Sequence, residues 1–129
     1  MHRILMRTVV LDFAPDAHDD ASEFWRVALA GGMHRNQKYP EYHVLEHGAA
    51  VGPVLVQCLG QGPSRVHLDI ETDDIEAEVE RLRHAGATVV QRYGEGPDEW
   101  TVLQDPAGLL FCVVPADSKG FDELARTVS

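Results

Sequence analysis

Two stretches of the chain, 4–13 and 65–72, carry apolar residues at every second position. Val9, Leu11 and Phe13 do so in the first, and Val66, Leu68 and Ile70 in the second. That period predicts strands with one face buried. Each is followed by a helical pattern. In "DDIEAEVERLRHAGA", Ile75, Val79, Leu82 and Ala85 recur at helical intervals, with Asp73 or Asp74 as N-cap and Gly86 as stop. In "DDASEFWRVALAGG", Phe24, Val27 and Ala28 share a side, Trp25 sits at its edge, and Gly31 and Gly32 end the run. Shorter strands are expected at 33–38, 41–46 and 52–59, then at 87–93, 99–104 and 109–114, separated by turns such as "EHGAAVGP" and "QDPAG". The order is βαβββ, twice, which makes an α+β protein. The tail, 116–129, predicts a short helix docked through Phe121 and Leu124.

The halves also match residue by residue. "VVLDFAPDAH" (9–18) aligns with "VHLDIETDDI" (66–75), 57 residues on, pairing Asp12 with Asp69 and Val10 with His67. "YHVLEHG" (42–48) aligns with "WTVLQDP" (100–106), 58 residues on. Two matches at nearly one spacing indicate a repeated unit of about half the chain. The expected organisation is one domain over 1–129, with unit one at about 4–60, unit two at about 64–115, and the tail.

Composition narrows the function. A formal charge of -10 without a basic stripe argues against nucleic acid, whose affinity comes from neutralised phosphates, and against anionic membrane surfaces. No stretch reaches the length of a membrane span, and "MHRILMRTVVLDF" lacks a signal-peptide core, so a cytoplasmic protein is expected. Cys58 and Cys112 lie in apolar strand-like runs outside any zinc-type spacing and read as reduced thiols. The run "DIETDDIEAEVE" reads as a capped, solvated helix start. His34, His43 and His47 fall in or beside turn-rich segments, and His18 and His84 near helices. All five read as solvated or surface histidines.

The tandem βαβββ order, the "VHLDIETDD" strand, the "AGATVV" step and the "VLQDPAGLLFCVV" hairpin resemble the vicinal-oxygen-chelate superfamily, in particular its glyoxalase-like and bleomycin-resistance-type members. The resemblance covers about residues 4–115. It implies an open, bowl-like mixed sheet with helices outside, a small organic ligand in the bowl and, commonly, a homodimer. Metal-binding members place ligands on the first and last strand of each unit. Carried over, those positions are Val10, Gln57, His67 and Cys112. Valine donates nothing and glutamine is a weak neutral ligand, so no metal or other cofactor is expected. Asp12 and Asp69, and the side chains of "YHVLEH", are the remaining donors if the register differs.

The functional expectation is a small-molecule binding protein. The alternative is a lyase, isomerase or dioxygenase, metal-dependent or using His67 as acid–base with Asp69 or Asp12. His67 reads either as a cleft-lining residue bonded to a carboxylate such as Asp69, or as the group that meets the ligand. Gln57 reads as a polar anchor between Leu55 and Leu59, or as a strand glutamine bonded to backbone. Cys112, flanked on its face by Leu110 and Val114, reads as apolar wall. Trp100, with Tyr39, Tyr42 and Tyr93, flanks loops that could close over a planar ligand or simply pack. On this reading His67→Ala keeps its fold, because alternation turns His67 away from the helix. Circular dichroism of the variant checks that direction.

Overall fold

The computed structural model describes residues 1–45, 54–60 and 62–129. The elements are β1 (His2–Phe13), α1 (His18–Ala28), β2 (Met33–Arg35), β3 (Tyr42–Leu45) and β4 (Val54–Cys58). Then come β5 (Arg65–Thr72), α2 (Ile75–Ala85), β6 (Thr88–Tyr93), a 3-10 turn (Gly96–Asp98), β7 (Trp100–Gln104) and β8 (Leu110–Pro115). A short α3 (Phe121–Leu124) and β9 (Arg126–Val128) follow. The order is βαβββ twice, in an α+β fold. The turn "EHGAAVGP", with Glu46 and His47, lies outside the described residues. The chain divides into two compact units. One is Thr8–His67, and the other joins Met1–Arg7 to Leu68–Ser129.

In the Thr8–His67 unit the strand order is β2-β3-β4-β1. β1 and β4 run parallel, from Val9↔Val54 to Phe13↔Cys58, while β3 is antiparallel to both β2 and β4. A parallel pair needs a crossover, and α1 lies within it. Leu45, Val54 and Val56 are buried, with Leu11, Phe13, Trp25, Leu29 and Met33 packed on them. The docked face of α1 differs from the expected one. Phe24 and Val27 are each 62% exposed, and the inward stripe is His18, Ser22, Trp25 and Leu29, at helical spacing. Trp25 belongs to the core. α1 also stops before the two glycines: Ala30 takes the left-handed position (φ 55), and its N–H bonds to Val27 O.

In the other unit the order is β5-β8-β7-β6 with the same polarity, β5 parallel to β8 from Leu68↔Phe111 to Thr72↔Pro115. Val79, Leu103 and Val113 form the buried core. Asp74 caps α2, its Oδ1 accepting from Ala77 N–H at 3.0 Å, and Gly86 closes it with φ 117. Not all of the acidic run is solvated. Glu78 is fully buried, accepting from Arg81 at 2.7 and 2.8 Å and pairing with His2 Nε2 at 2.6 Å. Burial pushes Glu78 up, but the bonds from Arg81 and His2 outweigh it and hold the carboxyl below its usual range. Buried Glu71 accepts from the backbone N–H groups of Asp117 and Ser118 and from the Ser118 hydroxyl, fixing the start of the tail. Phe121 docks as expected, Leu124 is 58% exposed, and β9 adds an unforeseen strand against His2–Ile4 of β1. Leu103→Ala is expected to cost about 3 kcal/mol by urea denaturation, from lost burial plus the cavity left.

Candidate functional site

The chemistry of the Thr8–His67 unit centres on Asp12. It lies on β1 between Leu11 and Phe13, which face the hydrophobic cluster, so alternation turns its carboxyl the other way together with Val10. Both residues are completely buried. Asp12 Oδ2 lies 2.5 Å from His67 Nδ1 and 3.4 Å from Arg65 Nε. Arg65 and His67 are two apart on β5 and therefore share a face. Asp12 Oδ1 has no hydrogen-bond partner among the described residues.

A carboxylate only accepts, so the proton of this bond lies on Nδ1, and in the neutral ring Nε2 is the acceptor. Asp12 is thus a carboxylate partner of His67, one of the two, with Asp69, that the sequence offers. His67 itself is 9% exposed, whereas Val66, expected under the helix, is 55% exposed. Arg65 went unnoticed in the sequence. Its side chain is 47% exposed, so a guanidinium tethered to a buried carboxylate still faces solvent.

Gln57 is the register partner of Asp12 on β4, and Tyr42 on β3 is the partner of Gln57. In the other unit, Asp69 and Cys112 are register partners on β5 and β8, at the positions that repeat Asp12 and Gln57. Cys58 and Cys112 are free, half-buried thiols. Trp100 is stacked on Tyr93, its partner across β6 and β7, with centroids 4.9 Å apart and planes at 11°. Depressions of about 450 and 460 Å³ beside α2 and β6 contain none of the seven residues singled out from the sequence.

Of the four positions that the resemblance gives to metal ligands, Val10 is a buried non-donor and Gln57 a neutral amide in register with Asp12, while His67 and Cys112 carry donor atoms. Among the described residues, no helix is long and apolar enough to cross a membrane. Two further expectations are corrected. His18 and His43 are 7% and 9% exposed, and their rings lie 4.8 Å apart. His18 reads as a surface residue because the docked face of α1 is not its most apolar one, and His43 reads as solvated because its strand lies beside turn-rich segments.

Residues 8–114 match a family described as glyoxalase-like domain. No curated protein matches the chain significantly. Among solved structures, the methylmalonyl-CoA epimerase of Mycobacterium tuberculosis is similar at 17% identity, over 87% of this chain and 88% of that one, with TM-score 0.55. A hypothetical protein of Bacillus halodurans is similar at 10% identity, over 90% and 96%, with TM-score 0.60. A variant of the Streptomyces coelicolor methylmalonyl-CoA epimerase, in complex with 2-nitronate-propionyl-CoA, is similar at 16%, over 87% and 97%, with TM-score 0.52. These likenesses carry the fold.

Removing His67 leaves a buried carboxylate with only a distant guanidinium. The geometry therefore revises the sequence-based expectation. His67→Ala is expected to lose about 3 kcal/mol in urea denaturation. Adding Asp12→Ala to it is expected to cost less than the two single losses together, giving a coupling of about 1 kcal/mol or more in a double-mutant cycle.

Proposed function

The chain belongs to the glyoxalase-like domain family of the vicinal-oxygen-chelate superfamily, and from that membership we propose that it is a small-molecule binding protein, holding an organic ligand at His67 and Arg65 without a catalytic metal. The observation that carries this reading is the pair of β5 side chains held by one buried carboxylate. Asp12 positions both and meets no ligand itself. His67 offers a polar ring atom of fixed orientation, Arg65 a charged fork suited to a carboxylate or phosphate, and Gln57 a neutral anchor. Val10 backs the imidazole as apolar filling. Asp69, Cys112 and Trp100 are the corresponding ligand-contact candidates of the other unit. An acidic ligand suits Arg65, whose guanidinium is half exposed beside the buried carboxylate. Two reduced thiols suit the cytoplasm, and the resemblance to the superfamily supports a homodimer.

A second reading has one observation in its favour. A histidine oriented at Nδ1 by a buried carboxylate is the arrangement used in acid–base catalysis, so His67 could move a proton on its ligand as a lyase or isomerase does. The donor set argues against routing that step through a metal.

Two measurements test the proposal. Elemental mass spectrometry of untagged protein purified without chelator is expected to find no stoichiometric metal; about one equivalent of nickel, zinc, iron or manganese per chain overturns the metal-free reading. Calorimetric titration with short carboxylates and acyl-CoA thioesters is expected to find a binder whose affinity drops about tenfold in Arg65→Ala, the loss of one charge-assisted contact. Equal affinity in that variant removes Arg65 from the site.

A further inference from the structure

The Thr8–His67 unit buries a second polar cluster that the ligand site does not use. His18 opens α1, Ser22 follows one turn later, and His43 stands on β3 beneath them. They are 7%, 1% and 9% exposed. The rings of His18 and His43 are 4.8 Å apart with planes at 52°. Three buried polar atoms, His18 Nε2, Ser22 Oγ and His43 Nδ1, have no hydrogen-bond partner among the described residues.

We propose that His18, Ser22 and His43 form an acid-sensitive latch, which holds α1 on β3 while His43 is neutral and loosens it when His43 takes up a proton. Surroundings on each packed element decide the sign. From β2, Arg35 is the register partner of His43 and adds a positive charge. From β4, the partner is the apolar Val56. On α1, the nearest carboxylate is Asp19, whose Oδ1 is 3.5 Å from His18 Nδ1 but lies on a fully exposed side chain. Burial, then His18 and Arg35, hold His43 below the ordinary imidazole value, with Asp19 pulling the other way. A ring kept neutral in the fold but chargeable in the open chain favours opening in acid. Its stabilisation is complete above about pH 6.5 and is lost as pH falls through the lower folded value.

α2 supplies the contrast. Its buried group is Glu78, held below the usual carboxylate range and bonded to Arg81, which stays charged throughout. Acidification to about pH 5 leaves that pair intact. The latch also lies near the ligand strands: Tyr42, next to His43, is the register partner of Gln57, and Gln57 is the partner of Asp12. Acid release of α1 therefore loosens the strand beside the Asp12 carboxylate.

Hydrogen exchange by mass spectrometry on the whole chain tests this, at about pH 7 and about pH 5, corrected for the intrinsic pH dependence of exchange. Protection of α1 amides is expected to fall about tenfold relative to α2 on acidification. The conservative variant His43→Gln is expected to abolish most of that differential loss. An unchanged α1-to-α2 ratio in the unaltered protein overturns the latch, as does the same loss in His43→Gln. The wild-type comparison stands even if that variant fails to fold.

Discussion

A carboxylate sealed from water is the constraint on which the candidate site depends. Asp12 is completely buried on a strand whose other face builds the hydrophobic cluster, so it can neither turn to solvent nor be replaced by packing without loss. An ionised group in that position has to be met by charge or by donors. β5 supplies both, an imidazole at 2.5 Å and a guanidinium at 3.4 Å. The pairing fixes the proton on His67, leaves Arg65 half in solvent, and makes a structural necessity also the organiser of the residues best placed to meet a ligand. In the proposed function stability and recognition share one atom pair, so substitutions at Asp12 bear on both.

The two units solve one topological problem with different polar chemistry. Each sets its first strand parallel to its last, and each places an aspartate of the first strand opposite a polar residue of the last, Gln57 in one and Cys112 in the other. Their helices then diverge. α2 carries a capping aspartate, a left-handed glycine stop and a buried carboxylate satisfied by Arg81 and His2. α1 has no side-chain cap, ends on a left-handed alanine, and buries His18 and Ser22, which with His43 of β3 carry atoms that lack partners among the described residues. Trp25 and Leu29 pack it on the hydrophobic cluster.

Much of the fold was legible because strand alternation and helix spacing are local signals. The βαβββ order, the Asp74 cap and the Gly86 stop were all readable in that way. The face of α1 was not. Phe24, Val27 and Ala28 make the more apolar stripe, but tertiary packing chose the one holding Trp25 and Leu29, and buried His18 and Ser22 with them. β9 was invisible for a similar reason: "RTV" forms a strand only because the edge of β1 at His2–Ile4 is there to receive it. Of the site, His67 and Asp12 were each visible as polar residues on a bowl-facing side. The sequence left Asp12 and Asp69 both open as partners of His67, since strand register is not a local signal, and Arg65 carried no signal beyond being charged. Glu71 and Glu78 show the same limit, since nothing local separates a buried, paired glutamate from the exposed ones beside it.

Membership of a superfamily known for chelation makes the donor count more informative than the fold. One scaffold hosts many functions, so the argument has to rest on what occupies the inherited positions. Here the first strand offers a buried valine in place of a ligand, and the carboxylate two residues further on is turned into a partner for His67. The bond to Nδ1 orients the ring and leaves Nε2 as the atom that would meet a metal or a ligand, while Val10 supplies no donor and Gln57 a weak neutral one. The same bond that would have served a metal-ligating histidine from behind serves a ligand-binding one equally well. What this chain adds is the Arg65 guanidinium on the same carboxylate oxygen, half in solvent. A cation there repels a second cation and attracts an acid, which is the basis of the proposed anionic ligand.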